Sequence, residues 1–184
     1  VAAIPDRSIS FEVFTDDVTD MERQAADIKT WGKNVYVKIP ITNTRGESAA
    51  PLVKRLAARG VKQNVTAILT LDQVRNVVDA LAGGPAANVS VFAGRIADTG
   101  VDPLPVMKEA LRIMAPHPQM ELIWASPREL LNIVQASEIG CHIITVTPDI
   151  LNKLSLIGKD LAEYSLDTVK MFRNDAMASG FGLA

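Results

Sequence analysis

Strand-like and helix-like periods take turns along this chain, and that rhythm leaves it few ways to fold. Short β-branched runs at Ile9–Phe14, Val35–Ile39, Val61–Leu69, Val89–Ala93, Glu121–Ala125 and His142–Val146 recur about every 21 to 32 residues. Stretches of helical period lie between them. Val18–Trp31 puts Met21, Ala25 and Ile28 on one side, Ser48–Arg59 is closed by Gly60, and Leu71–Leu81 follows the third strand. A polar loop leads to Pro103–Met114, Pro127–Ser137 opens on a proline suited to a first helical position, and Pro148–Leu154 follows the sixth strand. A last helix is expected over Ser165–Ser179, ended by Gly180. Strands joined by helical crossovers pair in parallel. The candidates are therefore an open doubly wound sheet and a (β/α)8 barrel.

The polar residues in the strands separate these two. No G-x-G-x-x-G follows a strand and no G-x-x-x-x-G-K-[ST] occurs, so the nucleotide-binding doubly wound folds lack their usual signature. Parallel strands buried on both faces read as almost wholly apolar. Here every strand carries a polar residue within it or at its end: Glu12, Lys38, Asn64 with Thr66, Ser90, Ser126 and Thr145. Side chains of that kind fit a barrel whose interior and C-terminal mouth hold a site. Six strands are readable where a closed barrel has eight. The expectation is an α/β, (β/α)8 TIM-barrel-type chain lacking the first two βα units. It would form one incomplete domain over 1–184, with the strands of Glu12 and Thr145 as unpaired edges.

Composition removes several function classes. Lys and Arg total 19 against 21 Asp and Glu, a net charge of −2 without the basic footprint of a nucleic-acid binder. Apolar runs stop at about ten residues where a bilayer span needs about 20, and the N-terminus has no signal-peptide pattern. One Cys and two His supply too few ligands of those types for a classical zinc site or an iron–sulfur cluster. The expectation is a soluble cytoplasmic protein with neither a nucleic-acid nor a membrane partner.

Lys38 is the most informative residue. In Val35-Tyr36-Val37-Lys38-Ile39-Pro40 it alternates onto the face opposite Val37 and Ile39, where an unpaired ammonium is unwelcome. It reads either as a lysine that attacks a carbonyl to form a Schiff base or as a structural lysine, snorkelling or paired with Glu12. Glu12 holds the matching position in its strand and reads as a proton shuttle or as that ion-pair partner. Asn64 and Thr66 share one face and could hold substrate hydroxyls, a catalytic water, or strand-end backbone. Arg95 and Arg128 follow two strands. With the hydroxyls of Ser90 and Ser126 and a helix starting near Pro127 they suggest a phosphate cradle. The alternative pairs them with Asp98 and Glu129. Asp16, Asp17 and Asp20 read as helix-capping residues, and Cys141, His142, Trp31 and Trp124 as packing.

The motifs VYVKIPIT around Lys38, QNVTAILT around Thr66, VSVFAGRIAD around Arg95 and WASPREL around Arg128 resemble the transaldolase family, which includes fructose-6-phosphate aldolase-like enzymes. The resemblance runs from about Ile9 to the C-terminus. It implies a class I aldolase-type barrel that needs no metal or organic cofactor and acts on small sugar phosphates. Lys38 matches the family's Schiff-base lysine, Glu12 the carboxylate that relays protons through a water, and Thr66 the hydroxyl that positions it. Asn64 and Ser126 match substrate-contacting residues, and Arg95 and Arg128 the phosphate-binding arginines. Phe92 stands where aldolase-type members carry a catalytic tyrosine, and Glu12 where they carry a glutamine. Both make the chain similar to the transaldolase branch, which transfers a dihydroxyacetone unit between sugar phosphates. An aldolase-like lyase and a non-catalytic sugar-phosphate-binding remnant are the alternatives. The family's first two strands supply an aspartate and an asparagine, and the present sequence begins about eight residues before the strand that resembles the third. Smaller members form pentamer-based rings through a C-terminal helix, so a homo-oligomer is expected through Ser165–Ser179, with packing inside one chain as the alternative.

Overall fold

All six β-branched runs become strands, and the helices fall between them. The structure, a computed structural model, describes residues 1–180 and 182. Its contacts gather into two units, Val1–Val146 and Thr147–Ala184. The first unit runs β1 (Ile9–Glu12), α1 (Val18–Lys29), β2 (Val35–Pro40), α2 (Ala50–Ala58), β3 (Gln63–Ile68), α3 (Leu71–Leu81) and β4 (Ala87–Val91). It continues with α4 (Ala93–Asp98), α5 (Leu104–Met114), β5 (Met120–Trp124), α6 (Leu131–Glu138) and β6 (Ile143–Ile144). The second unit holds α7 (Pro148–Leu151), a 3-10 turn (Leu154–Leu156) and α8 (Leu161–Ala178).

Topology decides between the two candidate architectures. The strands lie in the order β1-β2-β3-β4-β5-β6, and every neighbouring pair is parallel. A doubly wound sheet reverses its strand order at a switch point. Here every crossover steps the same way, which is the rule of a barrel wall. The wall curls: on the inner face the Asn64 amide of β3 reaches past β2 to donate to Ser10 Oγ of β1 at 3.0 Å. Among the described residues β1 and β6 are the sheet edges, as the six-unit reading expects.

Burial follows the period-2 rule. Val35, Val37 and Ile39 of β2, Val65 of β3, Val89 and Val91 of β4, and Leu122 and Trp124 of β5 are buried with the apolar stripes of the helices. Met21, Ala25 and Ile28 are the buried residues of α1, the stripe the sequence spacing predicts. Each Val, Leu, Ile or Met among them contributes about 1.5–3 kcal/mol on leaving water. The other face of the strands carries Ser10, Lys38, Asn64, Thr66 and Ser90, and the site is built there.

Several boundaries differ from the sequence expectation. β4 begins at Ala87, two residues early. The polar loop after it is the helix α4, closed by Arg95 and Ile96 N–H groups donating to the Phe92 carbonyl. The expected helix start at Pro127 is corrected: α6 begins at Leu131. Ser126 has φ +57°, and Asn132 Oδ1 accepts from the backbone N–H groups of Arg128 and Glu129, which holds the intervening residues in a polar turn. α8 begins four residues early, because Asp160 caps it by accepting from the N–H groups of Ala162 and Glu163.

Candidate active site

The inner face of the first unit encloses a cavity of about 480 Å³. Ser8, just before β1, and Ser10 of β1 line it, with Lys38 of β2, Asn64 and Thr66 of β3, and Asn88 and Ser90 of β4. Phe92 and Ser126 enter from the turns after β4 and β5. Five of the eight residues singled out from sequence, Lys38, Asn64, Thr66, Ser90 and Ser126, therefore line one cavity. Glu12, Arg95 and Arg128 stand outside its lining.

Lys38 and Glu12 are register partners on adjacent strands, and Lys38 Nζ donates to a Glu12 carboxylate oxygen at 3.0 Å. The pair is half-buried, with side-chain exposures of 31% and 44%. Water screens such a pair, so its worth as a fold-holding contact is under about 1 kcal/mol. A carboxylate at this distance can take the ammonium's proton directly and free the amine.

Polar groups run from there across the cavity floor. Ser90 Oγ donates to Asn64 Oδ1 at 2.7 Å, and Asn64 Nδ2 donates to Ser10 Oγ at 3.0 Å. Asn64 thus bonds side chains on both flanks rather than strand-end backbone. Thr66 is 2% exposed and its Oγ1 has no hydrogen-bond partner among the described residues. The sequence keeps it pointed inward by an uncommon device: the next residue, Ala67, sits at φ +61°, and the β3–β4 register shifts there. Below this layer Tyr36 lies with Lys62 Nζ 5.6 Å from its ring centroid. Burial first, and the Glu121 charge second, hold its hydroxyl above the ordinary tyrosine range.

The arginines are arranged differently from each other. Arg95, in α4, places its guanidinium 5.4 Å from the Phe92 ring centroid. Arg128 makes a two-pronged bond to the Asp98 carboxylate, with Nε donating at 2.9 Å and the second nitrogen closer still. The helix N-terminus expected beside it is displaced to Leu131. The two segments nonetheless touch through Gly94: a Cβ there would lie 1.5 Å from the Ser126 carbonyl oxygen and 3.3 Å from Arg128 Nε. Only glycine lets α4 and the turn after β5 meet.

The other sequence candidates fall as follows. Asp17 caps α1, but Asp16 accepts from the Thr44 N–H at 2.6 Å and pairs with Arg45 at 3.0 Å, tying the loop after β1 to the loop after β2. Trp31 meets Phe11 edge-on at 5.0 Å, and Trp124 is fully buried. Burial pushes the Cys141 thiol up, and His142 Nδ1 accepts from the Leu122 N–H at 3.0 Å. Asn88, Ser8 and Ser10 line the cavity without having been singled out from the sequence; Ser10 lies inside the first run, where only Glu12 is read as polar. Asn88 lies one residue before the run from which the fourth strand is read, and Ser8 lies just outside the first.

Known proteins resemble the chain in both sequence and fold. The sequence family described as transaldolase/fructose-6-phosphate aldolase matches residues 1–181. A probable transaldolase of Thermoanaerobacter sp. (strain X514) is 36% identical over 155 residues, 84% of this chain and 68% of that protein. One from Pelotomaculum thermopropionicum (strain DSM 13744 / JCM 10971 / SI) is 34% identical over 176 residues, covering 95% and 76%. Among solved structures, mandelate oxidase with 3,3-difluoro-2-hydroxy-3-phenylpropionic acid superposes with a TM-score of 0.52 at 17% identity. That match covers 79% of this chain and 50% of the other, so the chain spans about half the oxidase's length, and the likeness is one of fold alone.

Proposed function

The chain belongs to the transaldolase/fructose-6-phosphate aldolase family, and from that premise we propose that it moves a dihydroxyacetone unit between sugar phosphates through a Schiff base on Lys38. The observation that carries the reading is the pairing of Lys38 with Glu12 at 3.0 Å on the rim of a hydroxyl-lined cavity. In the first step the Glu12 carboxylate takes a proton from the Lys38 ammonium, and the free amine attacks the ketone carbon of a ketose phosphate. The protonated Glu12 then returns that proton to the carbinolamine hydroxyl, which leaves as water, and a cationic imine remains. The imine draws in the electron pair of the C3–C4 bond as it breaks, while the C4 hydroxyl proton passes to the Glu12 carboxylate and an aldose phosphate leaves. The enamine held on Lys38 attacks the aldehyde carbon of an acceptor aldose, whose oxygen takes the proton back. Hydrolysis of the new imine regenerates the amine.

Thr66 suits a water that carries these protons, since its buried hydroxyl has no partner among the described residues and the residue lines the cavity. Asn64, Ser90 and Ser126 are placed to hold substrate hydroxyls. Arg95 and Arg128 are the phosphate-binding pair, with Asp98 as the partner that Arg128 keeps between substrates. Phe92 at the cavity favours transfer over release, because a phenyl ring carries no proton to give the enamine.

Borohydride trapping with fructose 6-phosphate tests the chemistry. The expected result is one reduced adduct on the peptide containing Lys38, absent in Lys38→Ala. A folded sample that gives no adduct there removes the reading. Transfer and release separate when glyceraldehyde 3-phosphate formation is followed with and without erythrose 4-phosphate. The expected rate is at least about tenfold higher with the acceptor, and equal rates assign a lyase.

A further inference from the structure

The two arginines that follow β4 and β5 differ in how the chain holds them. Arg95 lies over the Phe92 ring, and its guanidinium has no ion pair or hydrogen bond among the described residues. Asp98 stands three residues later on α4, at the spacing of an ordinary helical ion pair. It does not take Arg95. It accepts two hydrogen bonds from Arg128 instead, 30 residues along the chain.

This contact uses one edge of the Arg128 guanidinium. The group carries five N–H bonds in one plane, and a carboxylate takes two of them. Asp98 takes those of Nε and one terminal nitrogen. The other terminal nitrogen donates to nothing among the described residues. One N–H from each terminal nitrogen is therefore left side by side on the outer edge, a fork that matches two oxygens of a phosphate. Both side chains are about half exposed, 47% for Arg128 and 52% for Asp98, so an anion from solvent reaches the pair. Among exposed ion pairs the two-pronged ones are the exception, since they fix the plane of the guanidinium as well as its place. Gly94 adds to this by having no side chain, for a Cβ there would lie 3.3 Å from Arg128 Nε.

We infer that Asp98 is a positioning residue for the phosphate: Arg128 keeps it with the phosphate bound as well as between substrates, and so presents its outer edge already aimed. A carboxylate that competed with the phosphate would occupy the outer edge, and Asp98 leaves it open. Freedom that binding would otherwise remove from a long side chain is removed beforehand, which is worth about three- to tenfold in affinity. The inference rests on the reading of Arg95 and Arg128 as the phosphate-binding pair, and not on the imine at Lys38.

The test uses glucitol 6-phosphate, which carries the phosphate but no carbonyl and so binds without forming an imine. Calorimetric Kd values are measured on the full chain for wild type, Asp98→Ala, Asp98→Asn, Arg128→Ala and the double variant Asp98→Ala with Arg128→Ala. Arg128→Ala is expected to weaken binding about tenfold or more. Asp98→Ala should weaken it about three- to tenfold, Asp98→Asn should act in the same direction, and the double variant should be no weaker than Arg128→Ala. Borohydride labelling by fructose 6-phosphate should show the same shift in its half-saturating concentration in the Asp98 variants. Its extent at saturation should be kept, whereas a chain that had merely lost structure would lose extent. Binding that is unchanged or tighter in both Asp98 variants overturns the inference. So does an equal loss with and without Arg128, or a lost extent at an unchanged half-saturating concentration. Wild-type affinity in Arg128→Ala, or no binding to wild type, removes the phosphate reading and the inference with it. The expected Kd pattern with no adduct in any sample supports the role of Asp98 and removes the imine reading alone.

Discussion

At the scale of single residues, the backbone holds strain where the candidate site needs aim. Ala67 sits at φ +61° directly after Thr66, a left-handed conformation that costs a residue with a Cβ about 1–2 kcal/mol. Ala67→Gly removes that strain and adds about 0.5–1 kcal/mol of unfolded-chain entropy. The expected outcome is a net gain of up to about 1 kcal/mol in urea denaturation, together with slower turnover as the Thr66 hydroxyl loosens. A variant less stable than wild type would show that the neighbouring register shift, and not the Ala67 conformation, carries the strain. Gly94 predicts the opposite. A methyl group at Gly94 would fall 1.5 Å from the Ser126 carbonyl oxygen, which is backbone and cannot rotate away. Gly94→Ala should lose about 3 kcal/mol or more in the same measurement. A loss below about 0.5 kcal/mol would mean that α4 and the turn carrying Ser126 adjust to each other freely.

At the scale of elements, two loops on the C-terminal side of β1 and β2 are joined by one carboxylate. Asp16 accepts from the Thr44 backbone and hydroxyl and pairs with Arg45, which also pairs with Glu47. The Thr44 backbone bond first, then its hydroxyl, hold the Asp16 carboxyl below its usual range. A folded pKa below the unfolded one means that the stabilisation is fully present above the unfolded value, near 3.9. It is lost as pH falls through the lower folded value. The protection factor of the Thr44 amide should therefore be high at pH 5 and fall as pH drops below the unfolded value, whereas Asp16→Asn should show little protection at either pH. Equal exchange in wild type and variant at pH 5 would show that the loops hold without the carboxylate. This link was not legible in the sequence, where Asp16 reads as one of three capping residues beside Asp17 and Asp20. The strands were legible because β-branched runs bounded by turn residues need no partner to be recognised. Their ends were not: reading β4 from Val89 hid Asn88, whose inward aim depends on a strand that starts at Ala87. α4 is six residues long, too short to display a period. Pro127 suits a first helical position, but the Asn132 side chain captures the Arg128 and Glu129 amides and delays the helix. Lys38, Asn64 and Thr66 were found because strand alternation assigns their face, whereas Ser90, read as part of a phosphate cradle, donates to Asn64 instead.

At the scale of the whole molecule, the two units differ in what they bury. The first encloses nearly all of the fully buried side chains. The second ends in α8, in which no residue is buried. Leu166, Val169 and Phe172 recur at threes along that helix and are 54%, 58% and 62% exposed, and Leu161 is 81% exposed. Apolar faces of this kind stay in water only at a cost, about 25 cal/mol for each Å². The charges alongside them do not cover the stripe, since Asp167 is occupied by Lys159 and Lys170. A second copy of the chain is the occupant expected from the family resemblance, because identical helices or a helix and its reciprocal groove bury such faces in a closed ring. Light scattering should then return a mass several times the 19.8 kDa of one chain. Leu166→Glu with Phe172→Glu should bring it down toward one chain while the far-ultraviolet circular dichroism keeps its shape. A wild-type mass of one chain would refute assembly, and an unchanged large mass in the double variant would place the contact elsewhere. The same variant separates assembly from catalysis, because every cavity residue lies before Val146. Borohydride labelling of Lys38 should persist in the dissociated chain, and its loss on dissociation would mean that the site is completed by a neighbour.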